Sequence, residues 1–500
     1  MSVAMKQLEE EFKSVPDSED RRRELGQFLT PPPVAHFMAS LFESHRKDWR
    51  LLDAGAGRGA LSAALVKRLC SLNPKPASIS VTAFELDKTL VAPLRSTLHD
   101  CQRECERAGI RFSASVCNED FIEASVSTVR GDLFSAGLTR FNAAIVNPPY
   151  RKIRSDSPTR LQLRSAGIET SNLYTAFVAL ITRLLDEQGE LVAITPRSFC
   201  NGPYFRPFRA DFLETMSLRQ LHVFESRSAA FGRDDVLQEN IIVRAVKSSA
   251  KPEQVIVSTS SGTPGGKCID RRIAYADVVS PGDTEQFIHL AESEAHDNAR
   301  ALMSRLSASL PELGLSVSTG RVVDFRASEF LRQNPGPDTA PLIYPCHFNG
   351  GFVHWPKKQC RKHNAIVSNE RTRELLVPAG IYLLVKRFTA KEERKRIVAC
   401  IYDSHQIPAP LVGFENHLNY FHVNGHGLPM NLAKGLAAFL NSTVVDSYFR
   451  QFNGHTQVNA TDLRNLNYPT KLELEKLGRK ISEPGLPQTN IDALVAEAVF

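Results

Sequence analysis

Leu51-Leu52-Asp53-Ala54-Gly55-Ala56-Gly57-Arg58-Gly59 is the stretch whose reading decides the fold. Its apolar start reads as a strand and its glycines as a turn. A helix follows with Leu61, Ala64, Leu65 and Leu69 on one side. Glycines here let the backbone approach a ligand closely at a strand's carboxyl end, where open α/β sheets bind. A dinucleotide fold would read G-x-G-x-x-G and cradle a pyrophosphate. The spacing is instead G-x-G-x-G behind an acid, which suits a cofactor with an amino-acid tail and no phosphates, such as S-adenosylmethionine. A purely structural strand–helix turn produces the same letters, so Asp53, Gly55 and Gly57 need company before they count as a site.

That company lies on both sides. Upstream, Pro31-Pro32-Pro33 precedes Val34, Phe37, Met38, Leu41 and Phe42, one face of a helix with prolines at its entry. Downstream, strands are expected at 79–85, 112–116, 141–146, 190–195, 218–224 and 240–246. A helix between them aligns Leu173, Phe177, Leu180, Ile181 and Leu184. Strands alternating with helices imply a parallel sheet with crossover helices. The second strand ends at Phe84-Glu85-Leu86-Asp87, where an acidic side chain can accept from both ribose hydroxyls. Read alone, Glu85 is as well explained as a helix cap. In register with the glycine turn it becomes a ligand residue.

Asn147-Pro148-Pro149-Tyr150 follows the apolar strand 141–146 directly. Two prolines hold the backbone extended and remove two amide donors. The Asn147 side-chain carbonyl and the Pro148 main-chain carbonyl are left to accept from one amino group, with the flat Tyr150 ring beside them. That suits an NH2 whose lone pair is delocalised into a π system, held toward an electrophilic methyl. The competing reading is a loop stiffened by prolines.

The order Gly26-Gln27-Phe28-Leu29-Thr30-Pro31-Pro32, Asp53–Gly59, Glu85, Asp120-Phe121 and Asn147–Tyr150 resembles the gamma-group N6-adenine DNA methyltransferases of type II restriction–modification systems. The likeness continues through Asn172-Leu173-Tyr174, 191–195 and 231–243. Leu342-Ile343-Tyr344-Pro345, Asn416-His417-Leu418-Asn419-Tyr420 and Gly454–Ala460 resemble that family's target-recognition regions, in its PstI/BsuBI-type branch. The resemblance implies that Thr30 contacts the methionine part of S-adenosylmethionine and Glu85 its ribose. Asp120 would accept from the cofactor's adenine amino group and Phe121 pack on that ring, with Asp132 a rival for Asp120. Asn147 and Pro148 would hold the target amino group. Tyr150 and Phe231 would stack on an extruded base, because an adenine amino group inside a duplex cannot reach such a pocket. Stacking of about 1–3 kcal/mol per base matches the few kcal/mol that extrusion costs.

The expected architecture is a Rossmann-like S-adenosylmethionine-dependent methyltransferase domain over 1–248 and a linker over 249–270, where Ser, Gly and Pro crowd. A mixed α+β target-recognition domain then covers 271–470, with a tail over 471–500. Composition is that of a globular chain: 500 residues, 42% hydrophobic, 23% charged, net charge +6. No apolar run is long enough to span a membrane, and no secretory signal is read at the start. Nine scattered cysteines suit reduced thiols in a cytoplasm. Residues 351–400 hold twelve Lys/Arg against four acids. Lys357, Lys358, Arg361 and Lys362 are therefore candidates for binding double-stranded DNA, with a solvated basic face as the alternative.

Cys346, His347, His354, Cys360 and His363 match no common zinc spacing, so no metal is expected. His417 and His422 lack the H-E-x-x-H pattern of a metalloprotease, and no nuclease signature is read. Methylation of an RNA base or a protein glutamine, and a silent DNA-binding subunit, are the other functions these motifs allow. Pairing with a separate restriction endonuclease is a further expectation.

Overall fold

A computed structural model describes residues 29–43, 45–131, 138, 140–224, 239–260, 268–358, 361–390, 392–454, 456–481 and 485–500. The chain divides into two compact units, Met1–Leu290 and Ala291–Phe500.

The first unit is built on one nine-stranded sheet. Its strands are β1 (Asp48–Ala54), β2 (Ser78–Phe84), β3 (Arg111–Cys117), β4 (Phe141–Val146), β5 (Leu185–Pro196), β6 (Met216–Phe224), β7 (Asn240–Lys247), β8 (Gln254–Ser260) and β9 (Ile269–Ala274). They lie in the order β3-β2-β1-β4-β5-β7-β6-β8-β9. β3, β2, β1, β4 and β5 are mutually parallel, and β7 runs antiparallel to both β5 and β6. All six residues of β4 are buried, as a central strand covered on both faces requires. The helices are α1 (Pro32–Ser40), α2 (Ala60–Ser71), α3 (Lys88–Ala108), α4 (Phe121–Arg130), α5 (Pro158–Ser165), α6 (Leu173–Leu184) and α7 (Arg206–Thr215). Pro32 opens α1, where a missing N–H costs nothing. The chain leaves β1 toward β2 on one side and reaches β4 on the other. This reversal of strand order makes the carboxyl ends of β1 and β4 the place for a ligand.

All seven strands expected in this unit are present. The boundary after 248 is corrected. Gln254–Ser260 is a strand with Val255 and Val257 fully buried, parallel to β6, and β9 pairs with it in turn. Alternating valines supplied that signal, but the flanking Ser, Gly and Pro obscured it. The seam between units falls at Leu290/Ala291.

The second unit is mixed α+β. One sheet joins Ser316–Thr319, Leu418–His422, Ile381–Lys386, Ala399–Asp403, Phe352–Val353 and Phe348–Asn349 in that order. A five-stranded sheet is centred on Thr339–Ile343. Tyr382 and Tyr420 of the first sheet and Phe414 of the second share one core, with ring centroids 5.2–6.1 Å apart. Residues 471–480 are no loose tail. The helix Lys471–Lys480 lies against the helix Met430–Leu440 so closely that a Cβ on Gly435 would sit 1.9 Å from the Leu474 carbonyl oxygen. One on Gly478 would sit 1.8 Å from that of Asn431. Two glycines on facing helices are what permit the approach. Among the described residues no helix is long and apolar enough to cross a membrane.

Candidate active site

The glycine turn takes its shape from backbone freedom. Gly55, Gly57 and Gly59 all have positive φ, at 80°, 58° and 84°. The amides of Gly55 and Ala56 both donate to the Phe84 carbonyl, at 2.9 and 2.8 Å, which ties the turn to the end of β2. A Cβ on Gly57 would meet Leu29 Cδ2 at 3.2 Å in a conformation that L residues rarely adopt.

Glu85 is buried, and its carboxylate spans two loops. Oε2 accepts from the Gly57 amide and Oε1 from the Asp87 amide, both at 2.7 Å. Asp87 in turn caps α3 by accepting from the Thr89 amide. Asp120 caps α4, accepting from the Ile122 amide at 2.7 Å. Phe121 packs edge-on against Phe84 and tilted against Phe177, with centroids 5.2 and 4.9 Å away. Gly55, Gly57, Glu85, Asp120, Phe121 and Asn147 thus line one cavity of about 180 Å³ at the carboxyl ends of β1, β2 and β4. Six of the expected residues, spread over 93 positions, meet there.

Asp53 does not line it. This carboxyl is wholly buried beneath the turn, with Oδ2 accepting from Ser62 Oγ at 2.7 Å and Oδ1 without a partner among the described residues. Burial pushes its pKa up to about 7, against the lowering effect of the Ser62 hydrogen bonds, with the Glu85 charge adding to the rise.

Asn147 ends β4, and its Nδ2 donates to Thr30 Oγ1 at 3.0 Å. Thr30 therefore touches the amide expected to hold the target. Tyr150 is partly buried against the core. Its hydroxyl donates to the Ile194 carbonyl at 3.2 Å, and its ring meets Tyr174 edge-on at 6.1 Å. Desolvation pushes that phenol well above its ordinary range, so the hydroxyl stays protonated. Pro148 and Tyr150 border the cavity without lining it, while Pro149 and Arg151 do line it. Phe231 and Asp132 lie outside the described residues.

Several lining residues escaped the motif reading. Leu86 is 54% exposed at the cavity's edge, and Leu29, Leu90, Ile122 and Phe177 complete an apolar wall. An exposed leucine directly after Glu85 was a legible signal. Leu29 lies within the Gly26–Pro32 phrase, Phe177 read as a periodic core position, and Leu90 and Ile122 carried no motif.

The four basic residues of the second unit differ in their engagements. Lys362 Nζ pairs with Asp324 Oδ2 at 2.7 Å and lies 5.3 Å from the Tyr344 ring centroid. Lys357 Nζ donates to the Cys346 carbonyl, and all four residues are exposed. Elsewhere in the basic stretch Arg396 is buried against Asn453 and Thr389, so the local charge excess overstates what solvent meets. His347 is buried too, its Nδ1 accepting from the Tyr344 amide and its Nε2 facing Asn364 Oδ1.

Residues 86–231 match the family model described as Eco57I restriction-modification methylase. Over 499 residues, 100% of this chain and 97% of the relative, the sequence is 42% identical to the type II methyltransferase M.PstI of Providencia stuartii. It is 44% identical to the type II methyltransferase M.BsuBI of Bacillus subtilis, across 96% of this chain and 95% of that one. A match at 23% identity to the type II methyltransferase M.AccI of Acinetobacter calcoaceticus covers 45% of this chain and 37% of that protein.

Proposed function

The chain belongs to the type II restriction–modification DNA methyltransferases, and from that membership we propose that it transfers the methyl group of S-adenosylmethionine to N6 of adenine in duplex DNA. The observation that carries this reading is the end of β4. There Asn147 lines a cavity walled by Gly57, Glu85 and Phe121, with Pro148 next to it in the chain.

When bound, S-adenosylmethionine would supply an electrophilic methyl on a positively charged sulfur. The close-approach turn at Gly57, supported from beneath by Asp53, fits its charged amino-acid end. Glu85 would face its ribose, Asp120 its adenine amino group, and Leu86, Ile122 and Phe121 the ring. Asn147 Oδ1 and the Pro148 carbonyl would accept hydrogen bonds from the two N6 hydrogens of the target adenine. That orients the nitrogen lone pair toward the methyl and eases its departure from the ring plane, a positioning and electrostatic effect. The prolines contribute no amide N–H to compete for those oxygens. Thr30, bonded to the Asn147 amide nitrogen, sets the rotation of that side chain.

Reaching the amino group requires the nucleotide to leave the stack. Tyr150 offers a ring whose hydroxyl is fixed to Ile194, and Phe231 is proposed as the second face. Lys358 and Arg361 are proposed to meet DNA phosphates, with Lys357 and Lys362 supporting the loop that carries them. Protection against a cognate endonuclease is the proposed purpose.

Tritiated-methyl transfer to duplex DNA, RNA and protein in parallel tests the reading. Label in DNA alone is the expected result, and label in RNA or protein would redirect it.

A further inference from the structure

Glu415 is fully buried, and both its oxygens are spent on one neighbour. Oε2 accepts from the His417 amide at 3.0 Å and Oε1 from His417 Nδ1 at 2.5 Å. Burying a carboxylate is costly unless its partner returns the energy. Here that partner is a histidine ring 44% exposed, whose Nε2 has no partner among the described residues. Such a carboxylate fixes which ring nitrogen carries the proton and where the ring points. With Nδ1 donating to Glu415, Nε2 is the ring atom left to accept from a ligand.

The surroundings of His417 are those of a nucleic-acid surface. The Phe388 ring, 41% exposed, lies 4.8 Å from the imidazole, and Arg387 stacks over Phe388 at 5.8 Å. The Arg387 Nη1 donates to the Asn416 carbonyl, and the Arg387 amide donates to the His417 carbonyl. A bridge joins Phe388 to Gln457, and the Thr389 amide donates to the Thr456 carbonyl. Segments 387–389, 415–417 and 456–457, far apart in the chain, thus meet around one imidazole edge.

We infer that His417 is a specificity-determining residue whose Nε2 accepts from the exocyclic amino group of a base in the DNA target, with Glu415 as its positioning residue. The inference rests on the proposed DNA substrate. In the major groove only adenine N6 and cytosine N4 donate, so an acceptor separates them from the carbonyl edges of guanine and thymine.

The test begins with DNA lacking methyladenine, treated with wild-type protein and read by single-molecule sequencing to define the methylated site. Duplexes carrying each single base-pair change in that site are then compared by kcat/KM. His417→Ala is expected to lose about 10- to 100-fold of discrimination at one base pair and little at the others. His417→Gln, which keeps an acceptor, should restore part of it. Glu415→Gln should weaken discrimination at the same base pair while melting no lower than wild type. Cooperative melting of each variant establishes that folded protein is compared. Unchanged discrimination at every position in folded His417→Ala and His417→Gln would overturn the inference and leave the proposed function standing. A wild type that methylates no DNA would overturn both.

Discussion

Asn147 at the end of β4 donates its Nδ2 to Thr30 Oγ1 across 117 residues of sequence, at 3.0 Å. A threonine just before the first helix therefore sets the rotation of the amide whose oxygen is proposed to hold the target. Replacing Thr30 with Val keeps the shape and removes the acceptor. Loss of one orienting hydrogen bond predicts a fall of about tenfold in kcat. Single-turnover methyl transfer measures it. An unchanged rate would show that the Asn147 amide needs no such support.

Asp53 predicts an unusual pH dependence. Its carboxyl titrates near 7 in the folded protein against about 4 when exposed, so the folded state holds its proton more tightly. Stability contributed by the protonated form is therefore lost as pH rises from about 4 to about 7, and then levels off. Asp53→Asn removes that loss, at most roughly 4 kcal/mol. The variant should melt higher than wild type at pH 8 and equally at pH 4, yet bind S-adenosylmethionine more weakly. Thermal denaturation and calorimetry check both halves.

Gly57→Ala places a Cβ 3.2 Å from Leu29 Cδ2 at a φ of 58°. The backbone strain alone costs roughly 1–2 kcal/mol. A displaced turn also withdraws the amide that Glu85 accepts. Cofactor affinity should fall at least tenfold with little change in DNA affinity, measured separately by calorimetry and fluorescence anisotropy.

The salt dependence of DNA binding separates the basic residues. Lys358→Ala with Arg361→Ala should reduce the log–log slope by up to about 1.8, at roughly 0.9 per phosphate contact. Lys362→Ala, whose ammonium is already paired with Asp324, should change it much less. Equal effects from Lys362 and Arg361 would contradict the pairing in solution.

The catalytic sheet was legible because its signals are local. An apolar run ending in glycines, an acid closing the next strand and Asn-Pro-Pro-Tyr after a third each announce a strand's carboxyl end. Topology then brings those ends together. Asp53 was misplaced because an acid beside a glycine turn reads alike whether it faces the ligand or supports the turn from below. Ser62, nine residues later in the first turn of α2, makes the difference, and only packing reveals it. The 249–270 seam misled because β8 is short and bounded by breakers. Gly435 and Gly478 carried no warning, since close helix packing is a relation between residues 43 apart. His417 was weighed against a metalloprotease pattern and read within a phrase resembling the target-recognition regions, and neither singles out its ring. Its partner Glu415 lies two residues away, but burial of that carboxylate does not appear in the letters.

The most direct test of the account is nucleoside analysis of duplex DNA incubated with S-adenosylmethionine and either wild-type protein or Asn147→Ala. Wild type should yield N6-methyladenine as the sole methylated base. Asn147→Ala should yield none above background while binding S-adenosylmethionine as tightly as wild type by calorimetry. Methylcytosine in the wild-type digest, or near wild-type turnover by Asn147→Ala, would contradict the chemistry assigned to the end of β4.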